Sequence, residues 1–460
     1  MPENDNFNPL VNASIKFDIN KMKAHLRLHI NDSGRPLEAS LVEELIKQSG
    51  IVYGLKENII DEVIKHPLFD EDIEIAKGKE PINGEDGKIQ YFIQHDSYIP
   101  KVLPNGHVNY QDLGAVYNVK KGEVLAVLID PKPGVDGINV LGKEIKAKNG
   151  RKVNPPLGKN VVLIDNKIVA DIDGQPVLVN GKINVYPVFE VKGDVDYSIG
   201  NIDFIGSVHI RGNANMGFTV KAKGDIIIDG IMDSSTLISD GNIIVKNGIQ
   251  GEGKGFVRCT GDLTTKYIEN SNIEVGGSIY CEAILYSKVT CKGGIYMKGK
   301  RGVIINSTVK VKNEIIANSI GSPMYTSTEI EIGVDPEKKT TLINIKNQIE
   351  HLTGELVKLN KIINYFRQTE LNKIDDHRKL LYEKSLATKK NIEQQLIELN
   401  ETFQKLSSEM EISERASIKI NNILYPGVKV TIGDSTVYIH QEYRHVILRE
   451  KDRQIVFLPI

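Results

Sequence analysis

The chain has 460 residues, 40% hydrophobic and 26% charged, with a formal net charge of −2. That balance gives no whole-chain attraction to nucleic acid or to an anionic membrane surface, so neither nucleic acid nor membrane insertion is expected among its partners. No apolar run approaches the ~20 residues that span a bilayer, and the start, MPENDNFNPL, lacks a cationic, apolar signal segment, so a cytoplasmic location is expected.

In chain order, Ile15, Phe17 and Ile19, then Ala24, Leu26, Leu28 and Ile30, alternate with polar neighbours. This predicts two strands joined near Asn20-Lys21. A helix is expected over residues 37–48, stopped by Gly50, and a second over 57–65, ending before Pro67. Beyond residue 72, short apolar runs between glycines read as strands, and Asn180-Gly181 is a strong hairpin turn. Residues 1–185 thus form an α+β, mostly β, domain. Within it, PGVDGINVLGKEI (133–145) has glycines that could cradle a phosphate. It lacks the G-x-x-x-x-G-K-[ST] pattern and a following helix, so turns are expected instead. His95 and His107 stand apart from any cluster with ligand spacing, and no metal is expected.

Over residues 186–335 a short block recurs, built on Gly193, Gly206, Gly224, Gly241, Gly261, Gly277, Gly293 and Asn313, at intervals of 13 to 20 residues. Such a period reads as a solenoid. Four residues before the marker stand Phe189, Ile202, Val220, Leu237, Val257, Ile273, Val289 and Val309; two after stand Val195, Val208, Ile226, Ile243, Leu263, Ile279, Ile295 and Ile315. Alternation of this kind gives strands with one buried face. The spacing accommodates three short strands and three corners per coil, with like residues stacked ~4.8 Å apart. Glycine followed by Asp, Asn or Ser suits the corner because glycine tolerates positive φ. Ser235, Ser271, Ser287 and Ser307 form a further column, read as corner hydroxyls bonded to nearby backbone. Cys259, Cys281 and Cys291 all fall in the repeat and read as small core residues, not as metal or redox groups. Asp194, Asp225 and Asp262 share one expected column after the marker. The basic run Lys298-Gly299-Lys300-Arg301 has only Tyr296 as an aromatic neighbour and reads as a solvated loop.

Residues 336–415 carry a heptad seam through Leu342, Ile345, Ile349, Leu352, Leu356, Leu359, Ile363 and Phe366, and a second through Ile392, Leu396, Leu399, Phe403, Leu406 and Met410. An antiparallel coiled-coil hairpin is expected, turning near residues 372–378. The tail, 416–460, returns to strands and is expected to pack on the solenoid; its Gly433-Asp434 looks like another marker turn, and His440 and His445 read as strand surface.

PGVDGINVLGKEI, then FEVKGDVDYSIGNIDFIGSVHIRG opening the repeat, then a heptad segment and a tail with ILYPGVKVTIG, resemble the bacterial flagellar assembly protein A (FapA) family. The order of parts carries the resemblance over nearly the whole chain. It implies a right-handed single-stranded β-helix similar to the C-terminal domain of the septum-site protein MinC and to the bactofilins. It also implies a non-enzymatic cytoplasmic role in flagellar assembly or placement, or in cell-pole organisation. It supplies no catalytic, cofactor or metal residues, and none are assigned. The expected function is a scaffold whose protein partners meet the N-terminal domain and the coiled coil, with a homodimer through the side faces of the β-helix as a further expectation. The alternative is a β-helix enzyme acting on polysaccharide through carboxylates such as Asp225 and Asp262. A hexapeptide acyltransferase fits less well, since the coils are no strict multiple of six.

Overall fold

A computed structural model describes residues 9–93, 101–102, 108–109, 111, 113–114, 116–299, 301–368, 376–409 and 412–460. His95, His107, Lys300, Met410 and most of the expected hairpin turn at 372–378 lie outside them. The chain divides into two compact units. One comprises Met1–Ile93, Lys121–Asp171 and Leu178–Asn184; the other comprises Gln94–Lys120, Ile172–Val177 and Val185–Ile460.

In the first unit, strands Leu10–Phe17 and Lys23–Ile30 pair antiparallel around a turn at Lys21, whose φ is 55°. Ala24, Leu26 and Leu28 are fully buried, whereas Ile19 and Ile30 lie past the buried face and are exposed. Helix α1 (Ala39–Ser49) starts two residues later than the sequence suggests and ends at Gly50, which is left-handed at φ 76°. Helix α2 (Glu57–Lys65) has the expected bounds. Both lay apolar stripes, Val42 and Ile46 then Ile60 and Val63, on the sheet completed by Asp72–Lys77. The 133–145 segment is a short antiparallel hairpin, Gly137–Ile138 paired with Glu144–Ile145 around a tight turn. Asn139 Oδ1 accepts N–H bonds from Leu141 and Lys143 at 3.1 and 2.9 Å, and a Cβ on Gly137 would lie 2.4 Å from Lys79 O. Glu74 bridges Lys23 and Lys56 at 2.8 and 2.5 Å, and those two ammonium groups hold its carboxyl down to about 2.

The second unit contains a parallel β-solenoid of about eight coils over residues 188–332. Its first column runs Phe189, Val208, Ile226, Ile243, Leu263, Ile279, Ile295 and Ile315, each paired in parallel with the next. A second runs from Ile202 and Val220 to Val309 and Ile330. A third runs Val195, Ala214, Met232, Ile249, Ile268, Ile284, Ile304 and Ile320. Nearly every member is completely buried, and together they form one continuous core.

The first coil departs from the sequence reading. Phe189 heads the column of Val208, not that of Ile202, and Val195 belongs to the third column. Gly193 stacks on Gly212, whose N–H reaches Gly193 O at 3.0 Å, so it marks a different corner from Gly206 and its successors. The cause is chemical: Gly-Asx serves any corner at which neighbouring coils lie close, and this coil uses it one corner early.

Helices α3 (Pro336–Gln368) and α4 (Asp376–Ser408) form an antiparallel hairpin. At its base, Lys338 Nζ meets Glu409 at 3.2 Å; towards its far end, the rings of Phe366 and Tyr382 lie 5.9 Å apart. Asp335 Oδ1 accepts N–H bonds from Glu337 and Lys338 at 3.0 and 3.3 Å and caps α3, with Pro336 in the first turn. The α4 seam extends upstream of Ile392 through half-buried Tyr382, buried Ser385 and half-buried Lys389. Polar residue types at two of those positions hid it from the sequence.

After the hairpin the chain re-enters the same ladder. Ile418 pairs in parallel with Ile315, Leu424 with Ile320, and Val430 with Ile330. The tail is therefore one more coil of the solenoid. Strands Ser435–Tyr438, Tyr443–Lys451 and Gln454–Pro459 then pair antiparallel and close that end. Gly433-Asp434, expected as a solenoid marker, is a hairpin turn, with Gly433 at φ 58° joining the antiparallel strands Val428–Ile432 and Ser435–Tyr438. At the opposite end, Asn118 bonds the first coil through Asp203 O at 2.9 Å and Ile205 N at 3.0 Å.

Candidate interaction surfaces of the solenoid and hairpin

The marker corner is held by side chains acting between coils. Ser207 Oγ accepts the N–H of Asp225 at 3.0 Å. Asp225 Oδ1 accepts that of Asn242 at 2.7 Å, Asn242 Oδ1 that of Asp262 at 2.8 Å, and Asp262 Oδ1 that of Ser278 at 2.7 Å. The marker glycines are not left-handed, contrary to the reading from sequence. What they supply is room: a Cβ on Gly224, Gly241, Gly261 or Gly277 would lie 2.2 to 2.4 Å from the side-chain oxygen of the preceding coil. Positive φ falls instead at the serine corner, on Ser234, Asn270, Tyr286 and Asn306, each directly before a column serine. There Ser287 Oγ and Ser307 Oγ each accept an N–H from the preceding coil at 3.1 Å and donate to the carbonyl two residues back. Ser235 heads that column but makes no such bond.

Asp194 is not in the column of Asp225 and Asp262; it accepts the N–H of Asn213 at the other Gly-Asx corner. Asp225 and Asp262 are separated by Asn242 and each holds a backbone amide, so both are occupied by the architecture. Cys259, Cys281 and Cys291 are free, buried thiols, and burial pushes each up to about 12. No group of three or more His, Cys, Asp or Glu side chains able to hold a metal occurs among the described residues. In the basic loop, Lys298 Nζ sits 4.6 Å from the ring centre of Tyr280, which itself stacks on Tyr296 at 5.4 Å.

The outer surface differs from face to face. Outside the second column run Asp203, Lys221, Ile238, Arg258, Glu274, Thr290, Lys310 and Glu331, mostly charged and several paired within the chain, as Arg258 is with Glu274 at 2.6 Å. Outside the first column the rungs read Glu190, His209, Ile227, Ile244 and Thr264. They continue through Tyr280, Tyr296, Ile316 and Lys419 before passing onto the closing strand at Ile447. At the near end of this face Asp229 meets Lys246 at 2.7 Å and His209 at 3.2 Å. Lys246 first, then His209, holds its carboxyl down to about 2.

The hairpin leaves and rejoins the solenoid at the marker corner. Gly333, at φ 100°, donates to Val311 O, and Ser413 N returns to Gly333 O at 2.8 Å while Ser413 Oγ bonds Asn313 Oδ1 at 2.9 Å. Lys292 with Glu337, at 2.5 Å, and Lys339 with Glu331 tie the first turn of α3 to the solenoid wall. No helix among the described residues is long and apolar enough to cross a membrane.

Stacked parallel coils, a closed end and a helical hairpin mounted at one corner define a β-solenoid protein whose distinguishing features are surfaces. Its two halves match the models of the flagellar assembly protein A N-terminal region, over residues 13–181, and of the flagellar assembly protein A beta solenoid domain, over 187–455. The chain belongs to the flagellar assembly protein A (FapA) family. No curated protein and no solved structure matches it.

Proposed function

We propose that this chain is a non-catalytic cytoplasmic scaffold serving flagellar assembly or placement, or cell-pole organisation. Its protein partners meet the N-terminal unit and the helical hairpin, and the solenoid acts as spacer and pairing surface. The observation that carries this reading is the mounting of the hairpin. Two helices of 33 residues each, ~50 Å long at 1.5 Å per residue, leave the ladder at Gly333 and return at Ser413, after which parallel pairing resumes with Ile418 on Ile315 and Val430 on Ile330. An inserted element that the core does not need for its own packing is suited to being grasped by something else.

Replacing residues 336–409 by a short Gly-Ser linker tests the scaffold. Capture of partners from native cytosol should be lost, while the melting transition of the solenoid is retained. Undiminished capture would move the binding role away from the hairpin. In a flagellated host, deleting the gene should change flagellar number, placement or motility; no change would remove the flagellar role. Glycan turnover by the purified protein, abolished by Asp225→Asn or Asp262→Asn, would replace the scaffold with an enzyme.

A further inference from the structure

We propose that two copies of this chain pair through the outer face of the first column, with their solenoids antiparallel and Thr264 on the two-fold axis. The proposal deepens the scaffold reading, on which its functional meaning rests. Ile227, Ile244, Tyr280, Tyr296 and Ile316 point away from the core, on alternate positions to buried neighbours, and are only half-buried. A run of apolar side chains along one flat face of a solenoid, where another face is charged, is the pattern of a contact surface.

The occupant is read from the charges. The row is bounded by His209 and Glu190 at one end, Glu190 also meeting Arg211 of its own chain at 2.8 Å, and by Lys419 at the other, with exposed Thr264 four rungs from Glu190 and four from Lys419. Closed pairing of two identical faces allows two arrangements. With the two-fold along the solenoid axis, each rung meets itself, so Glu190 faces Glu190 and Lys419 faces Lys419. With the two-fold along the strands, the order of rungs reverses. Glu190 then faces Lys419, His209 faces Ile316, Ile227 faces Tyr296, Ile244 faces Tyr280, and the small Thr264 meets its own copy. In the row beside the face, Lys246 comes opposite Glu282. Centring one rung later, on Tyr280, would set Lys419 on Ile227 and Glu190 on Leu458 of the closing strands. Charge complementarity therefore selects both the orientation and the register.

Sedimentation of the full chain over a range of concentrations tests the pairing. We expect a reversible dimer whose dissociation constant rises at least tenfold in Ile244→Asp, with an unchanged circular dichroism spectrum. Glu190→Lys or Lys419→Glu alone should weaken it, and the two together should restore it. A second measurement does not depend on a variant that might unfold. Differently tagged Ile244→Cys and Tyr280→Cys chains, mixed and mildly oxidised, should give the mixed disulfide, because the native thiols are buried. A wild-type chain that stays monomeric, or cross-links forming only between identical positions, overturns the proposal. A dimer that no longer captures partners would count against the scaffold and leave the pairing standing; partner capture by a strict monomer would do the reverse.

Discussion

Gly261 shows how much one side-chain position can decide. A methyl group there would sit 2.3 Å from Asn242 Oδ1, the oxygen that holds the N–H of Asp262. Gly261→Ala should therefore lose about 1–3 kcal/mol of stability through a displaced, unsatisfied corner amide, read as a lower urea midpoint. The thiols behave in the opposite way, protected and not engaged. With burial pushing Cys259, Cys281 and Cys291 up to about 12, alkylation of the native protein at pH 8 should be far slower than of the urea-unfolded chain. Fast labelling of Cys259 in the native state would contradict the inward direction of its column. The inward columns were legible in the sequence because every coil repeats Val, Ile or Leu at fixed distances from Gly. The role of that glycine was not legible: it depends on an oxygen 15 to 19 residues away, and local rules point to backbone φ instead.

At the scale of elements, the heptad seam was readable because leucine and isoleucine recur at three and four. Its upstream part on α4 was not, because Ser385 is buried with its hydroxyl bonded to Leu381 O at 2.8 Å, a polar residue neutralised by its own helix. Gly354 sits in the middle of α3 with open space around its missing Cβ. Gly354→Ala should stabilise the hairpin by about 1 kcal/mol, measured as a raised midpoint of helix melting by circular dichroism. No change would mean that the hairpin melts only together with the solenoid. The re-entry at Ser413 is invisible in sequence for a different reason: its partners, Gly333 and Asn313, lie some 80 and 100 residues upstream.

Across the whole molecule, the two compact units should respond to pH separately. Glu74 and Asp229 are held at about 2, below their ordinary 4.5 and 3.8. In that interval the unfolded chain binds more protons than the folded one. The stabilisation is present above the ordinary values and is lost as pH falls towards 2. For the thiols the folded value is the higher one. Their contribution is complete below about 9 and is lost as pH rises towards 12. Urea titrations across pH should thus give a plateau with two falling limbs, and Glu74→Gln should flatten the acid limb of the N-terminal unit alone. The interleaving of the units, with 94–120 and 172–177 belonging with the solenoid, escaped the sequence because composition does not change at those points. The mounted hairpin also orders events in time. The rung joining Asn318 to Asn421 spans 103 positions, so the last coil and its closing strands emerge from the ribosome only after the whole hairpin. Until then the ladder ends in a bare strand edge, open to pairing with another chain. Helix formation is local and fast, within microseconds. A hairpin that zips up as it emerges brings Ser413 back to Gly333 and shortens the loop still to be closed. On this view α3 and α4 limit the time during which the growing solenoid is sticky.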